Sequence, residues 1–201
     1  MEAKNYTGAI PENQQGSRID VGSKKELASV DEAIGLFEVA GSRLLNVNSW
    51  QGLASDSLAR FRLFDVYGDP VDGPAREGLL IRIDIPGPGT DVAGGYDWVK
   101  IEEISKYESG QVQSLAIRVR PTQAPDSRGV TAHFYSDQST STFTVTREQT
   151  TVTAAVYDRN IETNKESANV VDRVRNAVTS FAGQKVFSKV QWQSLADGLI
   201  G

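Results

Sequence analysis

The chain contains one histidine and no cysteine. Thiolate nucleophiles, disulfides, iron–sulfur clusters and cysteine-based zinc sites are therefore excluded, as is any metal centre built from several histidines. A Ser-His-Asp relay would have to use His133. Alternation along Val130 to Ser136 puts His133 on one strand face with Thr131 and Tyr135, opposite Val130, Ala132 and Phe134. A lone strand histidine without recognisable partners reads first as a solvated or hydrogen-bonded residue. Its functional reading places His133 and Tyr135 in a cavity beside an arginine from a neighbouring strand. Tyr157 and Arg159 share a face opposite Val156 and Asp158, where the guanidinium could meet an anionic ligand group. Trp98 adds an aromatic surface with a polar handle. Trp98, His133, Tyr135, Tyr157 and Arg159 are the candidate ligand-binding residues. No catalytic residue, metal ligand or cofactor is assigned.

Other motifs read as ordinary structure. Asp65, Asp69 and Asp72-Gly73 make an acidic turn that lacks the closing bidentate Glu of a calcium loop. Glu102 and Glu103 are expected on opposite strand faces, which would keep them from forming an acid/base pair. The glycines at 87, 89, 94 and 95 precede Tyr96-Asp97-Trp98-Val99-Lys100-Ile101, a strand pattern, whereas a phosphate cradle needs a helix N-terminus there.

These residues must be positioned by a fold whose class the hydrophobic period shows. Residues 1–24 are polar and read as a loosely attached arm, followed by one domain over 25–201. Ser23 with Glu26 and Ser29 with Glu32 both have the capping-box spacing, so a helix is expected to begin in this region. Val30, Ile34, Phe37, Gly41 and Leu44 give it an apolar stripe, and Gly41 allows close packing. From 58 to 159 the period becomes two. Strands are expected at 58–67, 78–85, 96–107, 112–120, 130–136, 142–147 and 151–157, the last two joined by a hairpin near Glu148-Gln149. The row Thr142, Thr144, Thr146, Thr151 and Thr153 predicts a polar sheet face that meets water. Beyond 160 the helical period returns over about 168–182, with Gly183 placed to end it. A short second helix at about 190–199 offers Val190 or Trp192 with Leu195, Ala196 and Leu199.

The fold class is thus α+β: an antiparallel meander of about seven strands wrapped on a C-terminal helix, with an N-terminal helix. A β-barrel or sandwich with flanking helices fits the same periods. This element order resembles the START-like, helix-grip superfamily, although no motif specific to it is present. The resemblance implies an apolar cavity between sheet and C-terminal helix that binds lipids, sterols or other hydrophobic ligands.

The net charge of −5 repels phosphate backbones, which argues against nucleic-acid partners. No apolar run approaches a membrane span, and the first residues lack a signal peptide, so a soluble cytoplasmic protein is expected. The leading functional expectation is non-catalytic binding of an apolar or amphipathic small molecule. The rival is a structural or interaction module acting through a sheet face, a sheet edge or a homodimer. An enzyme using carboxylates with Tyr or His on the same scaffold is the third.

Overall fold

The computed structural model describes residues 2–54, 59–84, 96–125, 135–162 and 181–201, with side chains from 188 onward in the last segment. One open sheet of seven antiparallel strands organises them, in the order β1-β7-β6-β5-β4-β3-β2. The strands are β1 (Ser17–Glu26), β2 (Arg60–Phe64), β3 (Leu80–Asp84), β4 (Asp97–Ser109), β5 (Val112–Pro121), β6 (Thr140–Glu148) and β7 (Thr151–Ile161). The helices are α1 (Val30–Leu45), the single turn α2 (Trp50–Leu53) and α3 (Phe181–Ile200). This is the α+β class expected from the periods, as a single open sheet rather than a barrel or sandwich.

Six of the seven expected strands are present, and the expected strand at 130–136 lies outside the described residues but for its last two positions. The seventh strand is β1. Residues 17–24, whose polar composition suggests an arm, pair with β7, Val21 standing opposite Val156. Paired on one side and carrying few apolar residues, β1 reads as polar because only alternate positions such as Ile19 and Val21 face the core.

Alternation divides the sheet into an inner and an outer face. Val21, Phe61, Leu63, Ile81, Ile101, Leu115, Ile117, Val119, Phe143, Val145, Val152, Ala154 and Val156 point inward into one core with α1, α2 and α3. Helix α1 packs on β5, β6 and β7, and α3 packs on β1, β7, α1 and α2.

Of the two capping boxes, Ser29 with Glu32 starts α1: the Ser29 hydroxyl accepts from Glu32 N–H, and Glu32 accepts from Ala28 N–H. Ser23 and Glu26 lie in β1 instead. The buried stripe of α1 is Ala33, Ala40, Gly41 and Leu44, flanked by Leu36 and Phe37, while Val30 is exposed. At Gly41 a β-carbon would sit 3.4 Å from Leu115, which shows the close packing that glycine permits there.

The expected helix at about 168–182 falls largely outside the described residues. Gly183 does not end a helix, since α3 runs through it, and the expected short helix at 190–199 is the second half of α3. One glycine costs a helix about 1 kcal/mol relative to alanine, less than the burial of Trp192, Leu195, Ala196 and Leu199 returns. Trp192 rather than Val190 takes the core position, for Val190 is 53% exposed. Arg43 of α1 donates to the carbonyls of Gly198, Leu199 and Gly201, satisfying acceptors that the end of α3 leaves unpaired. At Gly198 a β-carbon would lie 2.1 Å from the Leu53 carbonyl oxygen, so α3 seats against α2 only because that residue is glycine.

The threonine face does not meet water. Thr142, Thr144, Thr146 and Thr153 are buried, because the N-terminal segment crosses the outer face above them. Ala9 O accepts from the Arg118 guanidinium at 3.2 Å and from Thr142 Oγ1 at 3.4 Å, and Lys4 N–H donates to Tyr157 Oη at 3.2 Å. Ile10 packs with Ala155 and Tyr157. Asn160, at φ 54°, anchors the segment by accepting from Gln14 and Gln15 N–H through Oδ1 and donating to Glu12 O. A polar strand face is thus matched to a polar segment through backbone hydrogen bonds.

Candidate functional site

Between the inner face and α3 lies an apolar cavity of about 30 Å³ lined by Trp50, Phe61, Ile81, Ile83, Val99, Val119, Ser141, Phe143 and Trp192. Its aromatic residues hold one another at right angles or tilted. Trp50 is 5.3 Å from Phe61 and 4.8 Å from Phe143, and Phe143 meets Trp192 edge-on at 5.1 Å between ring centres. The Trp50 indole donates to the carbonyls of Arg43 and Leu44 at the end of α1, which fixes the ring against the helix that carries it. The volume suits one or two water molecules. Small-molecule pockets run from about 300 to 1,000 Å³.

Polar groups of the inner face stand beside this cavity. Asp158 continues the inward row Val152, Ala154, Val156, and it stands opposite Ser141 across β6. Its Oδ2 accepts from Trp192 Nε1 at 3.0 Å, while Oδ1 has no partner among the described residues. The residue is 4% exposed. Burial pushes its pKa up to about 6, against the opposing pull of the Ser141 hydroxyl, the Trp192 indole and Arg159. Asp97 occupies an inward position on β4, opposite Ile83 and two residues before Val99, and burial pushes it up to about 7. The Tyr135 hydroxyl shares a hydrogen bond of 3.2 Å with Ser188 of α3. Burial raises the pKa of that phenol, and the charges of Asp158 and Asp97 raise it further, which puts all three groups in one electrostatic neighbourhood.

The five sequence candidates do not converge. Tyr135 bonds Ser188 of α3 and feels the charges of Asp158 and Asp97 without lining the cavity, and His133 lies outside the described residues. Trp98 points to the outer face and packs with Phe64 and Leu80. Tyr157 also faces outward, fully buried under the N-terminal segment, and burial raises its pKa. Arg159 pairs with Asp20 on that face, with its guanidinium carbon 5.5 Å from the Tyr157 ring centre. These three are structural rather than cavity residues. Ser141, Trp50 and Trp192 line the cavity instead, and the acids Asp158 and Asp97 neighbour its wall, one bonded to Trp192 and the other opposite Ile83. The signal for the two acids was their parity, since each sits in the apolar half of an alternating strand.

The remaining motifs resolve as structure. Asp65 Oδ1 accepts from Tyr67 and Asp69 N–H, an ordinary turn, and Asp72 pairs with Arg62 at 2.8 Å. No group of three or more metal-ligating side chains occurs among the described residues. Glu102 and Glu103 are not separated by the sheet. The register shifts between Ile101 and Glu103, and this bulge lets Arg118 bond Glu102 at 3.2 Å and Glu103 at 2.9 Å. Burial works to raise the Glu102 pKa, but hydrogen bonds from Arg120 and Arg118 hold it below the usual carboxylate range.

No family model matches the chain, and no curated protein matches it. Several solved structures are similar at low identity. Norcoclaurine synthase from Thalictrum flavum, in complex with dopamine and hydroxybenzaldehyde, covers 95% of this chain and 91% of its own at 10% identity, with a TM-score of 0.34. Major latex-like protein 151 from Panax ginseng covers 92% of this chain and 100% of its own at 13% identity, with a TM-score of 0.38. Protein Ms6760 from Mycobacterium smegmatis covers 96% of this chain and 97% of its own at 13% identity, with a TM-score of 0.39. At such TM-scores they add nothing to the argument, and the fold class rests on the sheet order and helices of this chain. No described helix is long and apolar enough to cross a membrane.

Proposed function

We propose that the chain binds a small apolar or amphipathic molecule, without catalysis, between the inner sheet face and α3. The observation that supports this is an apolar cavity beside a buried carboxylate oxygen, Asp158 Oδ1, that no described residue satisfies. Leaving a charged group unsatisfied in an apolar interior is costly, and such costs concentrate at functional sites. The described residues enclose a water-sized space, so a larger molecule must extend beyond them or part α3 from the sheet.

The near-filled interior favours the rival, an interaction module or homodimer, but the surfaces that module would use are occupied. The outer face lies under the N-terminal segment. Along the edge strand β2, Ala59 N–H donates to Gln191 Oε1 at 2.7 Å and Leu63 N–H to Asn48 Oδ1 at 2.8 Å. Gln51 Oε1 accepts from Phe61 N–H at 3.5 Å. Those donors are taken, which blocks strand addition there. At the opposite edge, Gln193 of α3 donates to the Gly22 carbonyl of β1.

Native mass spectrometry of protein purified without detergent tests the two readings together. A monomer carrying a co-purified small molecule is the expected result. An empty, stable dimer overturns the binding reading in favour of the rival.

A further inference from the structure

Two acids on the inner face neighbour the cavity wall, one from β7 and one from β4. Asp158 stands opposite Ser141, and Ser141 stands opposite Val119. Asp97 stands opposite Ile83 and shares its face with Val99. Ile83, opposite Asp97, and Ser141, opposite Asp158, line the cavity together with Val99 and Val119, so each acid neighbours its wall. No cation bonds either carboxylate among the described residues.

Resting on the binding reading above, we propose that the ligand is an amphiphile with a protonated amine head, its ammonium set on Asp158 and its apolar part against Trp50, Phe61 and Phe143. An ammonium brings donors and no acceptor, which is what an unpartnered carboxylate oxygen lacks. It also neutralises a charge that the apolar wall cannot solvate. A neutral alcohol satisfies one lone pair and leaves the charge in place. A carboxylate ligand adds like charge to a site that already holds two acids.

The charged surroundings of Asp158 reinforce this sign. Across the sheet, Asp20 of β1 and Arg159 of β7 neutralise each other on the outer face. β6 presents the neutral Ser141, and β4 presents Asp97. From α3 come the neutral Trp192 and Ser188, with Lys189 exposed. Among these groups no cation faces Asp158, and burial keeps both acids protonated more readily than free carboxylates, so their ionised form is tested above neutrality.

Calorimetric titration at pH 8 with n-hexylamine, 1-hexanol and hexanoate, on the full chain and on Asp158→Asn, tests the head-group preference. Hexylamine is expected to bind at least about tenfold more tightly than hexanol, with hexanoate weakest. In Asp158→Asn the amine should lose that advantage while hexanol binds as before. Equal affinities for the three probes, or an amine preference that survives in Asp158→Asn, overturns the head-group inference and leaves the binding reading standing. Absence of binding by all three overturns both. Should Asp158→Asn fail to fold, the wild-type series decides together with Asp97→Asn, in which the amine preference is expected to shrink; a preference that does not shrink overturns the role of Asp97.

Discussion

On the outer face of the sheet Arg159 meets Asp20, and Arg118 meets both Glu102 and Glu103, whereas on the inner face Asp158 and Asp97 meet no cation among the described residues. Both faces are buried, one under the N-terminal segment and the other under the helices, so burial alone does not explain the contrast. Where the sheet needs only a lid, Arg159 and Arg118 find carboxylates inside the chain. Where it borders a cavity, an acid is kept although its ionised form is penalised by its surroundings. On the proposed reading, that difference is what a bound ligand would complete on the inner face.

The largest expected effect concerns what roofs the inner face. Gly198→Ala forces a β-carbon against the Leu53 carbonyl, a backbone atom that cannot swing aside. A stability loss of about 3–5 kcal/mol is expected, visible as a lower urea midpoint. A midpoint within error of wild type would mean that α3 is not seated on α2, and the inner face would lose its roof.

The next compares the two faces by sign. Asp158 has a folded pKa near 6 against an ordinary value of 3.8. The folded state therefore holds the proton more tightly than the unfolded one, and stability from this group falls as pH rises from about 4 to 6 and then levels. Relative to wild type, Asp158→Asn should gain roughly 3 kcal/mol between pH 4 and pH 8. Thermal unfolding of both proteins across that range measures it, and parallel curves would show that the carboxyl is not penalised by burial.

On the outer face the expected sign reverses. Arg159→Met keeps the bulk but strands Asp20, and a loss of about 2 kcal/mol is expected at pH 7. Adding Asp20→Asn should recover much of it, because the stranded charge goes with it. If Arg159→Met is neutral, the outer pair is a surface ornament and the contrast between faces narrows to the inner acids alone.

Much of the architecture is legible in the sequence. Alternation located six strands because each half-buried strand must put its apolar residues on one side, and Ser29 with Glu32 marked the start of α1. Composition misled where a polar segment did structural work. Residues 17–24 look like an arm, yet an edge strand needs few inward residues. The threonine row looked solvated because its cover is backbone hydrogen bonding from residues such as Ala9, which no hydrophobic pattern announces. The bulge at 101–103 turned two separated glutamates into partners of one arginine, an irregularity that strict alternation cannot anticipate. For the site, parity correctly grouped Tyr157 with Arg159 and set Asp158 against them, but did not say which group faced the core. The informative residue is the acid in the apolar row, Asp158, rather than the aromatic and basic residues opposite it.

The pairing of β1 with β7 also bears on how the molecule comes into being. Hairpins β4–β5 and β6–β7 join strands across turns of two residues, so each can form as soon as its own stretch of chain is free. β1 has its neighbour at the far end of the sheet's sequence, Val21 opposite Val156, and must wait for it. Such non-local closure is slow, because loop entropy is lost before any contact repays it. During synthesis the early strand is exposed for as long as the rest of the sheet takes to appear. Its lysines at 24 and 25, on an otherwise unpaired strand, keep that interval from ending in association with another chain.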